Sequence, residues 1–196
     1  MTYYYGPQTI DITSYDAFKN AVNGNGYDVD GSYGAQCVDA FMLLNYNLGY
    51  SAPYASTGGT GYAYGMWTVD SARTWNASDK YDLIYDKTQI KRGDMIVFAA
   101  SYYYPTTGHN AFADEDYTNP SSIRVLGQNQ FYGASFPTGG KCFNVEYTVL
   151  DTLFLGAFRL KQWQQPTPPV KKEAKHKFPW FIYTQKFHDK NNYGII

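Results

Sequence analysis

The stretch DVDGSYGAQCVDAF, residues 28–41, places Cys37 where a loop of small residues leads into a predicted helix. The chain has only two cysteines, which is too few for a disulfide scaffold. Unpaired N–H groups at a helix N-terminus favour a thiolate and lower the thiol pKa from its ordinary value of about 8.5. Cys37 is therefore a candidate nucleophile. The alternative is a small buried hydrophobic residue, the usual state of a lone free cysteine.

A cysteine nucleophile needs a base, and histidine is the usual one. Of the three histidines, His176 and His188 lie in the C-terminal segment, whereas His109 lies in the stretch TTGHNAF. A turn separates His109 from the predicted strand 93–100, so we expect His109 to begin the neighbouring antiparallel strand. The alternative role is that of a surface histidine in a hairpin.

Two side-chain amides are candidates to complete this site. Asn129, in VLGQNQ, could fix the imidazole tautomer by accepting from one ring nitrogen, as in the Cys-His-Asn proteases. It could equally be a turn residue at the end of a strand. Gln36 directly precedes Cys37 and could donate to a developing oxyanion, with the backbone N–H of Cys37 as a second donor.

The loop before Cys37 has the ligand spacing of a calcium loop. Residues with suitable oxygen atoms fall at positions 1, 3, 5, 7 and 12 of a twelve-residue window: Asp28, Asp30, Ser32, Gly34 and Asp39. The match to an EF-hand is imperfect, because the glycine is at position 4 and the last acid is Asp rather than Glu. We expect calcium to bind here and to fix the loop. The alternative is a polar turn in which Asp39 pairs elsewhere.

Apolar periodicity predicts helices first and strands afterwards. The helical segments are 14–22, which Ser14 can cap, then 38–48 and 66–76; residues 1–13 and 50–65 are predicted to be loops. The strand segments come later in the chain: 93–100, 109–115, 121–130, 142–150 and 154–160. This order favours an α+β fold in which N-terminal helices pack on an antiparallel sheet.

Composition divides the chain into a domain, 1–163, a Pro- and Lys-rich linker, 164–177, and a short aromatic tail, 178–196. The net charge of -1 gives no basic field for nucleic acid. The N-terminus lacks the basic and apolar regions of a signal peptide, and no apolar run approaches the roughly 18 residues of a membrane span. We therefore expect synthesis in the cytoplasm and no membrane insertion.

Four stretches in this order, DVDGSYGAQCVDAF, KRGDMIVF, GHNAF and VLGQNQ, resemble the CHAP domain, the cysteine, histidine-dependent amidohydrolase/peptidase of the papain-like clan. The resemblance covers roughly residues 15–162. It implies a papain-like CHAP fold of the α+β class, with Cys37 as nucleophile, His109 as base and Gln36 as oxyanion donor. The calcium carboxylates that it implies are Asp28, Asp30 and Asp39.

The chain departs from the family pattern in the calcium loop, where relatives often use a Tyr or His side chain, and more importantly at position 127. Relatives often have a glutamate where Gly127 stands, and that glutamate can orient the histidine. The resemblance therefore leaves Asn129 as the best third member of the catalytic group, with Gln128 behind it.

CHAP domains cut peptidoglycan, as N-acetylmuramoyl-L-alanine amidases or as endopeptidases of the stem or cross-bridge peptide, and many belong to phage endolysins. The resemblance thus implies a phage or prophage endolysin that is made in the host cytoplasm and is released to the cell wall with the help of a holin. Residues 178–196 could be the start of a wall-binding module, a strap on the first domain or an interaction tail. The alternatives are a non-catalytic wall-binding or virion structural module that keeps the fold, and a papain-like protease that acts on proteins.

Overall fold

Eight strands are found among the described residues, and six of them form one antiparallel sheet. The computed structural model describes residues 2–50, 55–101, 106–130 and 142–164. In chain order, the strands are β1 (Tyr3–Tyr5), β2 (Gly26–Asp28), β3 (Tyr81–Ile84), β4 (Met95–Phe98), β5 (His109–Ala113), β6 (Ser122–Gly127), β7 (Asn144–Val149) and β8 (Phe154–Leu160). The order in the large sheet is β3-β8-β4-β5-β6-β7, and every pair is antiparallel.

The helices of the described part of the chain are short. They are α1 (Tyr15–Val22), α2 (Cys37–Asn47), α3 (Gly65–Thr68), α4 (Asp70–Ala77) and α5 (Lys161–Gln164). The prediction of α1 is confirmed, and the Ser14 side chain accepts from the N–H of Ala17 at 3.1 Å. The predicted helix 66–76 is instead divided at Val69, whose ψ of 113° is extended. None of these helices has the length and apolar character needed to cross a membrane.

The predicted α+β class is confirmed, and each of the five predicted strands is present, four of them shorter than predicted. The prediction of a loop over residues 1–13 is wrong at β1, which pairs in parallel with β2. The rings of Tyr4 and Tyr27 stack across this pair, with centroids 4.9 Å apart. Such short strands arise from tertiary pairing and carry no readable period. The predicted tail 178–196 and nearly all of the linker 164–177 lie outside the described residues.

The two faces of the sheet carry separate hydrophobic clusters. Val97 of β4 and Phe112 of β5 join the cluster that contains the buried residues of α1 and α2. Phe98 and Ala111, each one residue away along the same strands, join a second cluster to which neither helix contributes. Because side chains alternate along a strand, α1 and α2 cover one face of the sheet.

A buried carboxylate ties α1 to the end of β5. Asp114 accepts hydrogen bonds from Lys19 Nζ at 2.7 Å and from the Tyr15 hydroxyl at 3.0 Å. Arg124 of β6 adds an ion pair at 3.1 Å. The Asp114 side chain has no exposed surface, so these donors supply the partners that a buried charge needs. The contacts fix the first helix against the strand that begins with His109.

Gly108 determines how the chain enters β5. Its φ is +64°, a left-handed value, and a Cβ at this position would lie 2.5 Å from the carbonyl oxygen of Phe98 and 2.9 Å from Cβ of Tyr64. Neither neighbouring atom is the end of a flexible side chain. Only glycine satisfies both the backbone angle and the close approach, so the position of His109 depends on it.

We expect Gly108→Ala to lower the free energy of unfolding by more than Gly24→Ala. Gly24 also has a left-handed φ, +81°, but nothing lies within 4 Å of its missing Cβ. The left-handed backbone alone costs about 1–2 kcal/mol with an L side chain. Gly108→Ala should add about 1–3 kcal/mol for overpacking. Urea unfolding of the two variants measures the difference, and equal losses would show that the turn before β5 is not crowded.

Candidate active site

Cys37 is the first residue of α2, and the local sequence explains why the helix begins there. Gln36 is the N-cap, with an extended ψ of 166°. Its backbone N–H donates to Oδ2 of Asp39 at 2.7 Å, three residues into the helix. A carboxylate at this position of the first turn satisfies a free N–H and interacts favourably with the helix dipole.

The sulfur of Cys37 lies among backbone N–H groups in a buried environment. The N–H groups of Asn110, Val38 and Cys37 itself can hydrogen-bond to the thiolate, and these contacts lower the pKa. Burial has the larger effect and raises the pKa of the Cys37 thiol to about 11. The expectation of a lowered thiol pKa is therefore wrong for this structure, because loss of solvent outweighs the helix N-terminus.

His109 is the first residue of β5 and pairs with Phe98 of β4, as the sequence predicts. Only 1% of its surface is exposed. Burial lowers the pKa of the imidazole to about 3, and the nearby Gln130 side chain raises it by a smaller amount. At neutral pH the buried pair therefore consists of a thiol and a neutral imidazole.

Cys37 and His109 both lie beside the start of β5, and the described residues show no hydrogen bond between the two side chains. The thiol contacts the backbone of Asn110, the residue after His109. The imidazole faces Phe98, with ring centroids 6.2 Å apart, and the Gln130 amide. The candidate nucleophile therefore contacts the backbone of the residue that follows the candidate base.

The amide of Gln128 joins the loop before Cys37 to the end of the sheet. Its Oε1 accepts from the N–H of Tyr27 at 2.8 Å, and its Nε2 donates to the carbonyl of Tyr27 at 2.9 Å and to that of Gln36 at 2.8 Å. Gln128 is fully buried. One side chain therefore connects β2, the N-cap of α2 and the residue that follows β6.

The two predicted amides, Asn129 and Gln36, bond to each other. Nδ2 of Asn129 donates to Oε1 of Gln36 at 2.9 Å, and Nε2 of Gln36 donates to the carbonyl of Tyr33 at 2.7 Å. The structure therefore places Asn129 beside the residue that precedes Cys37. One of the two N–H bonds of the Gln36 amide is committed to Tyr33, which leaves the other for a ligand.

Three predicted metal ligands form a cluster in the loop before α2. Each of Asp28, Asp30 and Asp39 offers a carboxylate oxygen, and these atoms lie within 4.8 Å of one another. Burial, with smaller contributions from the nearby Asp30 and Asp28, raises the pKa of Asp39 to about 7, although backbone N–H groups of Gln36 and Val29 oppose it. Oδ1 of Asp28 is buried and accepts no hydrogen bond from the described residues.

The other two predicted ligands, Ser32 and Gly34, belong to the same loop. The N–H of Ser32 donates to Oδ1 of Asp30 at 2.8 Å, and Gly34 has a left-handed φ of +70°. The loop therefore turns sharply between Asp30 and α2. Oxygen atoms of Ser32 and Gly34 remain predicted ligands.

The sequence does not predict the contacts of Gln128 and Gln130. It offers Gln128 only as a residue behind Asn129, and it gives no role to Gln130. The stretch GQNQ gives three consecutive amides after β6, but no local pattern indicates which groups each of them contacts.

Comparison with known proteins finds likenesses in both sequence and structure. No family model matches the chain. Over 155 residues it is 32% identical to a protein named D-alanyl-L-alanine endopeptidase from Streptococcus phage B30, a match that covers 71% of this chain and 33% of that protein. The chain thus spans about a third of the length of this curated relative.

The second likeness is to the crystal structure of the wild-type endolysin LysIME-EF1. The TM-score is 0.54 and the sequence identity is 23%, with 74% of this chain and 62% of that chain covered. The two chains share a fold.

We expect Gln128→Met to lower the free energy of unfolding by about 3 kcal/mol or more, because each buried backbone group left without a partner costs about 1–3 kcal/mol. Methionine keeps the length of the side chain and removes its hydrogen bonds. Gln89→Met at an exposed position is the matched control and should change stability by less than about 0.5 kcal/mol. Urea unfolding compares the variants, and similar values for both would contradict the connecting role of Gln128.

Proposed function

We propose that this chain is the catalytic domain of a phage endolysin that hydrolyses an amide bond in peptidoglycan, with Cys37 as nucleophile and His109 as base. The observation that carries the proposal is the position of Cys37. Its sulfur lies at the first residue of α2, among three backbone N–H groups, and one of these belongs to the residue next to the buried His109. The names of the phage endopeptidase and of the endolysin with a shared fold support the same class of substrate.

The chemistry follows the usual thiol mechanism in two stages. The thiol proton passes to the imidazole of His109 as sulfur attacks the scissile carbonyl carbon, and the new C–S bond gives a tetrahedral oxyanion. His109 then protonates the leaving amine while the C–N bond breaks. Water attacks the acyl-enzyme with His109 as base, which releases a carboxylate and restores the thiol.

Burial makes this pair neutral at rest, so the thiolate forms during the attack and not before it. Proton transfer needs His109 to reach the sulfur, and catalytic hydrogen bonds in resting enzymes commonly tighten when substrate binds. The remaining N–H of Gln36 and the backbone N–H of Cys37 are donors for the oxyanion. Asn129, which bonds to Gln36, would hold that amide in place.

The scissile bond is either that between the glycan and the stem peptide or one within the peptide. The name of the phage B30 relative favours an endopeptidase that cuts between D-alanine and L-alanine. We therefore propose that peptide cleavage in the cross-bridge is the main activity and that amidase activity is the alternative.

We expect the protein to release soluble fragments from peptidoglycan whose cross-bridges join D-alanine to L-alanine. Mass spectrometry of the digest should show new D-alanine carboxyl ends and new L-alanine amines, with the sugar–peptide bond intact. Cys37→Ala should reduce the rate by at least about 10⁴-fold, because the nucleophile is lost.

Cys142→Ala is the matched control, since Cys142 is the other buried free cysteine. It should retain activity wherever it retains the fold. Separation of sugar from intact peptide would indicate the amidase. New reducing sugar ends without new amines would refute the thiol mechanism, and the absence of fragments from several folded preparations and wall types would favour a non-catalytic binding module.

We also propose that the acidic cluster binds calcium and stabilises the loop before Cys37. Ligands of one calcium ion lie no more than about 5 Å apart, twice the Ca–O distance, and the three carboxylates meet this limit. Oδ1 of Asp28 is buried and accepts no hydrogen bond from the described residues, so it is available as a calcium ligand. Asp28, Asp30 and Asp39 would hold the calcium, together with oxygen from Ser32 or Gly34. The ion would neutralise the carboxylates and have no part in the chemical steps.

Calcium affinity should rise with pH up to about 7 and then level off. The pKa of Asp39 in the metal-free protein is about 7, so at lower pH calcium must displace one proton. The dissociation constant should increase about tenfold for each pH unit below 7. Isothermal titration calorimetry between pH 5.5 and 8.5 measures both the affinity and the proton release.

Asp28→Asn should abolish this binding, whereas Asp82→Asn, at an exposed strand position, should leave it unchanged. A dissociation constant that does not vary with pH, or binding that survives in Asp28→Asn, would disprove the site.

A further inference from the structure

Gly127 leaves a space at the end of β6 that another side chain occupies. The residue pairs with Asn144 of β7. A Cβ at position 127 would lie 2.9 Å from Cβ of Ala111 and 3.0 Å from Oε1 of Gln130. A side chain here would therefore collide with the neighbouring strand and with the Gln130 amide. The absence of a side chain at 127 is what makes room for that amide.

The amide of Gln130 is held in one orientation. Its Nε2 donates to the carbonyl oxygen of Asn144 at 2.6 Å and to Oδ1 of the same residue at 3.2 Å. Gln130 is 6% exposed, and its Oε1 is buried without a standard hydrogen bond from another described residue. With the nitrogen committed to β7, the oxygen is the atom left for the imidazole of His109.

The side chain of Asn129 contacts Gln36 and not His109. Its φ of +54° turns the chain between Gln128 and Gln130, and its own amide donates to Gln36. Three consecutive amides therefore have three different contacts: the backbone of Tyr27 and Gln36 for Gln128, the Gln36 side chain for Asn129, and β7 for Gln130.

We propose that Gln130 is the positioning residue for His109. Its Oε1 lies in the space left beside Gly127 and accepts an imidazole N–H of His109. This inference rests on the proposed function and names the third member of the catalytic group. A neutral imidazole has one N–H and one lone pair. If the N–H is held by Gln130, the lone pair is on the opposite nitrogen, where it can accept the thiol proton.

The effect of Gln130 on the pKa of His109 has the direction expected of a hydrogen-bond acceptor. The contact with Gln130 raises the pKa of His109, as an acceptor should, although burial lowers it by more. An amide oxygen is a weaker stabiliser of an imidazolium than a carboxylate. Gln130 therefore fixes the ring and its tautomer while the resting histidine stays neutral.

The test uses the full chain with ¹⁵N-labelled histidine and the variants Gln130→Met and Asn129→Ala. The His109 signals are assigned by their loss in His109→Ala. In the unaltered protein the two ring nitrogens should have the well-separated shifts of a single tautomer. In Gln130→Met they should move towards the average of the two tautomers, whereas Asn129→Ala should leave them separate.

Kinetics on peptidoglycan fragments gives a second readout. Gln130→Met should lower kcat at least about tenfold and change KM less than about threefold, because it disturbs the base and not the substrate contacts. Gln89→Met is the exposed control and should match the unaltered protein. If Gln130→Met does not fold, Gln130→Asn, which keeps the amide but shortens it, should show the same changes to a smaller extent.

The outcomes separate this inference from the proposed function. Unchanged ring shifts in folded Gln130→Met, or shifts that change in Asn129→Ala instead, would overturn the role of Gln130. A tautomer that depends on Gln130 in a protein that releases no wall fragments would support the positioning contact and refute the hydrolase.

Discussion

The position of the candidate site depends on the buried amide of Gln128. Its three hydrogen bonds hold β2 and the N-cap of α2 against the end of β6. Asp28 follows Tyr27, and Cys37 follows Gln36, so each is one residue from a group that this amide binds. A polar group with no exposed surface has no water to replace these partners, and its geometry is therefore strongly determined.

The exclusion of water shapes the electrostatics of the whole site. It raises the pKa values of Cys37 and Asp39 and lowers that of His109, so each group is shifted towards its neutral form. Asp39 of the acidic cluster is only two residues from Cys37. A cation bound to the carboxylates would stabilise their charge in place of water, and a bound substrate would do the same for the thiolate.

Sequence reasoning succeeded where local patterns carry the information. The start of α2 near Cys37 and the place of His109 at the beginning of β5 follow from apolar period and turn residues. The short parallel pair of β1 and β2 could not be predicted, because three residues have no period. The contacts of the GQNQ amides could not be predicted either, since they depend on a left-handed turn at Asn129 and on the register of β6 with β7.

Under the proposal that Gln130 positions His109, the oxygen that orients the ring comes from a residue three positions after Gly127. An imidazole needs an oxygen atom at the correct side of its ring, and the identity of the residue that provides it is secondary. A Cβ at position 127 would lie 2.9 Å from Cβ of Ala111 and 3.0 Å from Oε1 of Gln130, so a side chain there would compete with the amide for the same volume. The absence of a side chain at Gly127 is therefore not by itself evidence for an inactive site.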